Sequence, residues 1–327
     1  MKKLFAVLLS LLLLCACGAQ SPAPTAVKAT PWPSPTPIPD PVTAATDFDR
    51  YALNVYPGEG LNVVGADEHW PDVVDAIFAR RESLDTLPAD KALLCAQTFI
   101  NYHLMGTLVQ EAAVQNDVLT ITYRYDADEH SQLVTRLVDT VEGLLQTVMP
   151  EGSNRLEQMI LCYQVACQQS EYDIDAPITN AFGLLLFRTG ICHGWAELYS
   201  QLLLQCGIDS IRVQGETLDG QEHGWVVAQI GENWYHFDPM WDNPDQGRDL
   251  FYFALSDQAR AMRGGGVKLP VTGTLDPFPP MQVPACNDDS FTQRFEVGMD
   301  FVVDVESHQL IYALRVDNSM QMMSTES

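Results

Sequence analysis

The chain has 327 residues, and its 18 Lys and Arg stand against 43 Asp and Glu, a formal charge of −25. So acidic a balance repels nucleic acid and offers no basic patch to anionic lipid, which argues against both as partners and fits solubility outside a cell.

The first 17 residues, MKKLFAVLLSLLLLCAC, carry two lysines and then an apolar run of about 13 residues, too short to span a bilayer and of the form of a secretory signal. Leu14-Cys15-Ala16-Cys17 resembles a bacterial lipobox. That resemblance implies lipidation of Cys17, and so an exported protein held to the outer side of a membrane by its anchor alone. An ordinary secretion signal cleaved nearby is the alternative. Residues 18–47, with SPAPTAVKATPWPSPTPIPDPV at their centre, are too rich in Pro, Ala and Thr to bury a core. Extended at about 3.1 Å per residue, they form a disordered tether several tens of ångströms long.

Residues 48–170 read as a scaffold of helices with one strand. Helices are expected over 68–83 and 88–115, the second with Leu93, Leu94, Phe99, Ile100, Leu104 and Leu108 on an apolar side and a break at Asn116-Asp117. VLTITYRY alternates as a strand, and SQLVTRLVDTVEGLLQTVM follows as an amphipathic helix ending near Pro150. Asn154 and Glu157 have the spacing of a capping box opening a further helix, RLEQMILCYQVACQQS.

The next stretch, residues 171–256, carries the chemistry. In HGWAELYSQLLLQC, Trp195, Leu198, Tyr199, Leu202, Leu203 and Cys206 recur at helical spacing, and Gly207 supplies a stop. Gly190 and Gly194 permit a tight start, so Cys192 falls at the first turn, where unpaired N–H groups and the helix dipole lower a thiol pKa. EHGWVVAQI and NWYHFD read as two strands joined at Gly231-Glu232. With a two- or four-residue turn, Trp225 faces Asp238, and His223 and Asp238 share a face as diagonal neighbours roughly 7–8 Å apart. An odd loop with a bulge would separate them. A thiol, an imidazole and a carboxylate so placed are a nucleophile, a base and the group that fixes the base's tautomer. The backbone N–H of Cys192 is a candidate oxyanion donor, with the second donor unassigned.

Gly190-Ile191-Cys192-His193-Gly194-Trp195-Ala196, Gly207-Ile208, His223-Gly224-Trp225 and Trp234-Tyr235-His236-Phe237-Asp238-Pro239-Met240-Trp241-Asp242 resemble successive blocks of the transglutaminase-like superfamily. The resemblance covers residues 172–255. It implies an α+β fold with a papain-like core, in which the cysteine helix packs on an antiparallel sheet carrying histidine and aspartate. It also implies a thioester mechanism with Cys192 as nucleophile, His223 as base and Asp238 as orienter. Val226 stands where family members often have Asn, and Met240 where they often have Thr. Tyr172-Asp173 precedes the catalytic helix by about the distance seen in similar proteins. Tyr172, Trp195, Trp225 and Trp241 are expected to line a groove for an extended peptide.

The remaining cysteines, Cys95, Cys162, Cys167, Cys206 and Cys286, form no CxxC pattern, so neither a metal nor another cofactor is expected. His193 reads as a helix-start residue. Cys162 and Cys167 are poorly spaced for a bridge within one helix, and Cys206, at a helix end, is a weak rival nucleophile.

Residues 257–327 read as a strand-containing extension. DLFYFALS before it resembles a strand, Ser256 caps a short helix, and Gly264-Gly265-Gly266 and LDPFPPMQVP are loops. FEVGMDFVVDV and QLIYALRV alternate as a hairpin around Ser307-His308, and MQMMSTES reads as frayed. The sequence thus describes a tethered cysteine enzyme that hydrolyses or transfers an acyl group at an amide of a protein or peptide, with the cell wall as one source of substrate. Water is the favoured acceptor and an amine the alternative. The rival is a module of the same fold that binds peptides or partner proteins without turnover.

Overall fold

The computed structural model describes residues 47–53, 66–168, 171–243, 250–264, 267–268, 283–292, 295, 299–314 and 320–325. The leader with Cys17, the Pro-rich tether and most of the LDPFPPMQVP loop lie outside them. The fold is α+β, with antiparallel sheets and one short parallel pair. Among the described residues no helix is long and apolar enough to cross a membrane.

The first part runs α1 (Trp70–Phe78), β1 (Ser83–Leu84), α2 (Ala89–Tyr102), β2 (Val109–Gln115) and β3 (Val118–Tyr123). The helix expected over 88–115 is therefore two elements, with a 3-10 turn at Gly106–Leu108 between them. Asn116 and Asp117 both take positive φ, 52° and 61°, the backbone of a two-residue hairpin turn. They fold Val109–Gln115 back on β3 as a strand, despite the Ala, Glu and Gln that favour a helix. The sheet order is β1-β3-β2.

Two long helices follow. α3 (Ala127–Val148) is capped by Asp126, whose carboxylate accepts from the Glu129 N–H at 2.9 Å, and it buries one stripe, His130, Leu133, Leu137, Val141, Leu145 and Val148. α4 (Arg155–Cys167) opens with the expected capping box: the Asn154 side chain accepts from Glu157 N at 3.0 Å and Glu157 accepts from Asn154 N at 2.8 Å.

β4 (Glu171–Tyr172) pairs in parallel with β5 (Thr189–Gly190) across α5 (Ala181–Phe187). α6 (Cys192–Gln205) follows at once and ends at Gly207, φ +69°. Like α4, α6 is buried nearly all round, as befits a central helix. It packs on β6 (Ser210–Glu216) and β7 (Glu222–Ile230). These continue through β8 (Asn233–Phe237), α7 (Asp257–Met262) and β9 (Val267–Lys268) into an antiparallel sheet ordered β8-β7-β6-β9. Ile211, Val213, Trp225, Val227 and Cys286 form a buried cluster on this sheet. Of the strand expected over 249–256, the described residues 250–256 are instead a series of turns, bridged to β8 between His236 and Leu255. Ser256 does cap α7, accepting from Ala259 N at 3.0 Å.

β10 (Met299–Asp304) and β11 (Gln309–Leu314) form the expected hairpin. The segment expected to fray is a third strand, β12 (Met320–Ser324), paired antiparallel with β11. Its last described residues are held by α4: Asn154 Nδ2 donates to Thr325 O at 3.0 Å, and the Thr325 hydroxyl donates to buried Glu157.

Candidate active site

Cys192 is the first residue of α6, after Ile191, whose extended backbone and apolar side chain leave the helix start uncapped by a side chain. The thiol therefore sits at the positive end of a helix, 8% exposed. Gly194 lets that turn approach its neighbour, since a Cβ there would lie 2.6 Å from Thr179 O.

His223 and Asp238 are brought together by strand register. Ile230 pairs with Asn233, so the turn is Gly231-Glu232 alone, and Val226 pairs with Phe237. The register ends there, with Asp238 the residue after β8; continued by one step it would put Trp225 opposite Asp238, and so His223 and Asp238 on one face. His223 Nε2 lies 2.7 Å from Asp238 Oδ2, with both side chains buried. With Nε2 engaged, Nδ1 is the ring nitrogen left for the thiol.

Electrostatics separate the three groups. Burial pushes the Cys192 thiol up, but hydrogen bonds from His193 and His223 and their charge outweigh it and bring the thiol down to about 6. Burial likewise opposes charge on His223, yet Asp238 and Cys192 hold it up at about 9. Asp238 is kept below the usual carboxylate range, against its burial, by His223 and Arg260. Near neutral pH the pair is thus a thiolate and an imidazolium. Three other thiols go the opposite way: burial drives Cys95 up to about 12 and Cys162 and Cys167 well above the thiol range. Cys206, the rival nucleophile, is buried with its sulfur 3.7 Å from that of Cys162.

Several partners of the site were not foreseen. His193 does more than start a helix: its Nδ1 is 3.8 Å from Cys192 Sγ, its Nε2 is 2.8 Å from Gln214 Nε2, and its ring covers Gly224, where a Cβ would be 2.7 Å from Cδ2. Arg260 of α7, only 2% exposed, donates from Nη2 to Asp238 Oδ2 at 3.1 Å. The Tyr163 hydroxyl of α4 lies 2.9 Å from the Asp238 carbonyl and 2.7 Å from Asp242 Oδ2, sharing its one proton between the two acceptors. Asp242 lay within the quoted motif and Tyr163 on an apolar helix face, whereas Arg260 left no periodic signal.

The four expected groove aromatics separate. Tyr172 is 52% exposed on β4, opposite Gly190 and so two residues from Cys192. Trp241 is half-buried and stacks on His223. Trp195 and Trp225 are fully buried and line no groove, because α6 is a central helix and the Trp225 ring lies in the sheet's apolar cluster. Trp225 Nε1 donates instead to His236 Nδ1 at 2.8 Å.

That bond settles a second Cys-His-Asp group. His236, Asp257 and Cys286 place donor atoms within 4.8 Å of one another among the described residues, close enough to suggest a metal centre. With Nδ1 accepting from Trp225, the imidazole proton resides on Nε2, which donates to Asp257 Oδ1 at 2.8 Å. The ring has no lone pair left for a metal, and the arrangement is a hydrogen-bonded brace.

No protein-family model matches the chain, and no curated protein does. Among solved structures it is similar to a presumed cysteine protease from Cytophaga hutchinsonii, at 17% identity over 39% of this chain and 60% of that one, with a TM-score of 0.28. It is similar also to a TGase, at 15% identity over 40% of this chain and 44% of that one, with a TM-score of 0.28. The chain thus spans less than two thirds of either protein.

Proposed function

We propose that the protein is a cysteine acyl-transfer enzyme of transglutaminase-like type, acting on amide bonds of protein or peptide substrates through a thioester. The observation that carries this reading is the placement of a thiol at the first residue of α6 beside an imidazole whose far nitrogen is 2.7 Å from a buried carboxylate. The Cys192 thiolate attacks the carbonyl carbon, and His223 gives its proton to the amine as the C–N bond breaks. His223 then takes a proton from water, whose oxygen displaces the thiolate from the thioester. An amine in place of water would complete a transfer. The backbone N–H of Cys192 faces the developing oxyanion in this scheme. The lipobox-like Cys17 and the Pro-rich tether support placing the enzyme outside the cytoplasm, lipid-anchored to a membrane and within reach of wall peptides.

The test is iodoacetamide labelling of the folded protein near pH 7, read by peptide mass spectrometry, beside turnover of peptide amides and glutamine side chains. Cys192 should label at least about tenfold faster than the other thiols, and His223→Ala should slow it. Slow, uniform labelling of every cysteine would refute the enzyme and favour the binding module.

A further inference from the structure

Arg260 is a charged side chain enclosed as tightly as any core residue, in contact with the acid of the triad. Its guanidinium carbon lies 3.9 Å from the centroid of the Trp225 ring and 5.1 Å from that of Trp241. His223 lies against the same two indoles, 6.0 Å and 4.6 Å between centroids. Both side chains reach the same oxygen, Asp238 Oδ2, at 2.7 Å from His223 and 3.1 Å from Arg260.

We propose that Arg260 is a positioning residue of the triad, a permanent counter-ion that fixes Asp238 and limits its hold on the His223 proton. The reason lies in the catalytic cycle. His223 must alternate between imidazolium and neutral imidazole, and Asp238 is wholly enclosed. Without a second cation, each neutral phase would leave an unpaired carboxylate in a site of low dielectric, which is strongly unfavourable. A guanidinium stays charged throughout the working range, so Asp238 keeps a partner in both phases. Its charge also opposes that on the imidazolium, which makes His223 a readier proton donor to the leaving group.

The other groups facing this cluster do not replace it. Burial pushes Tyr163 and Cys167 of α4 well above their ordinary values and Tyr252 up to about 12, so these stay neutral. Asp242 accepts from Tyr163 and from the Tyr252 N–H, and Arg263 donates to the Phe251 carbonyl. Cys192 is the partner of His223 itself.

The inference rests on the reading of Cys192 and His223 as an ion pair, and its test does not require a substrate. The pH dependence of Cys192 alkylation by iodoacetamide has an alkaline step where His223 loses its proton. In Arg260→Met and Arg260→Gln that step should rise by about one pH unit or more, with folding verified by near-UV circular dichroism. Arg260→Lys, which keeps the charge, should leave it within about half a unit of the parent. An unmoved or lowered step in either folded neutral variant would overturn the proposal. So would a rise in Arg260→Lys as large as that expected of a neutral variant, which keeps the test decisive if neither neutral variant folds. Shifted steps with no amide turned over would uphold Arg260 and remove the acyl-transfer reading instead.

Discussion

His223 and Trp241 lie face to face, with ring centroids 4.6 Å apart and planes 11° from parallel. The indole face favours the charged imidazolium, a contact worth about 0.5–2 kcal/mol. Trp241→Leu should therefore lower the alkaline step of Cys192 alkylation from near pH 9 by about 0.4–1.5 units, opposite in sign to loss of Arg260. An unmoved step in the folded variant would show that the stack only fills space.

Amide hydrolysis should follow a bell-shaped pH profile. The lowered Cys192, at about 6, is protonated below that value and loses its nucleophile. The raised His223, at about 9, is deprotonated above that value and cannot protonate the leaving amine. Initial rates between pH 4 and 11 should show limbs near those values, and His223→Ala should abolish the bell.

Asp238→Asn is expected to do two separable things. The amide misdirects the imidazole tautomer, which should lower kcat/KM by about 10³–10⁴-fold. It also leaves the Arg260 charge uncompensated, at a cost of about 3–5 kcal/mol read by urea unfolding. The double variant Asp238→Asn/Arg260→Met should recover part of the stability and none of the activity.

Cys17→Ala should abolish incorporation of radiolabelled fatty acid and move the protein from the membrane pellet to the soluble fraction, or leave an uncleaved precursor. An unmodified N-terminus at another residue, found by intact mass, would replace the lipid anchor with simple secretion.

Much of the site was legible because it is local. Cys192 follows a Gly-rich start to an apolar helix, and Gly231-Glu232 sets a two-residue turn whose parity aligns His223 with Asp238. What escaped depends on partners distant in the chain. Val109–Gln115 has helix-favouring residues and becomes a strand because β3 is there to pair with it. Met320–Ser324 holds no β-branched or aromatic residue and reads as a tail, and β11 orders it. Trp195 and Trp225 look like cleft aromatics until their helix and strand prove to be interior. Arg260 sits on a short capped helix whose six residues announce nothing about an acid 22 positions earlier.

Helix α4 makes two attachments six residues apart. Glu157 binds His308 at 3.2 Å and the Thr325 hydroxyl, while Tyr163 binds the Asp238 carbonyl and Asp242. The C-terminal sheet and the loop that presents the acid are thereby coupled mechanically in series through one rigid rod. A displacement of that sheet would be carried along α4 both to the backbone of Asp238 and to α6, on which α4 packs through the Tyr163–Tyr199 contact.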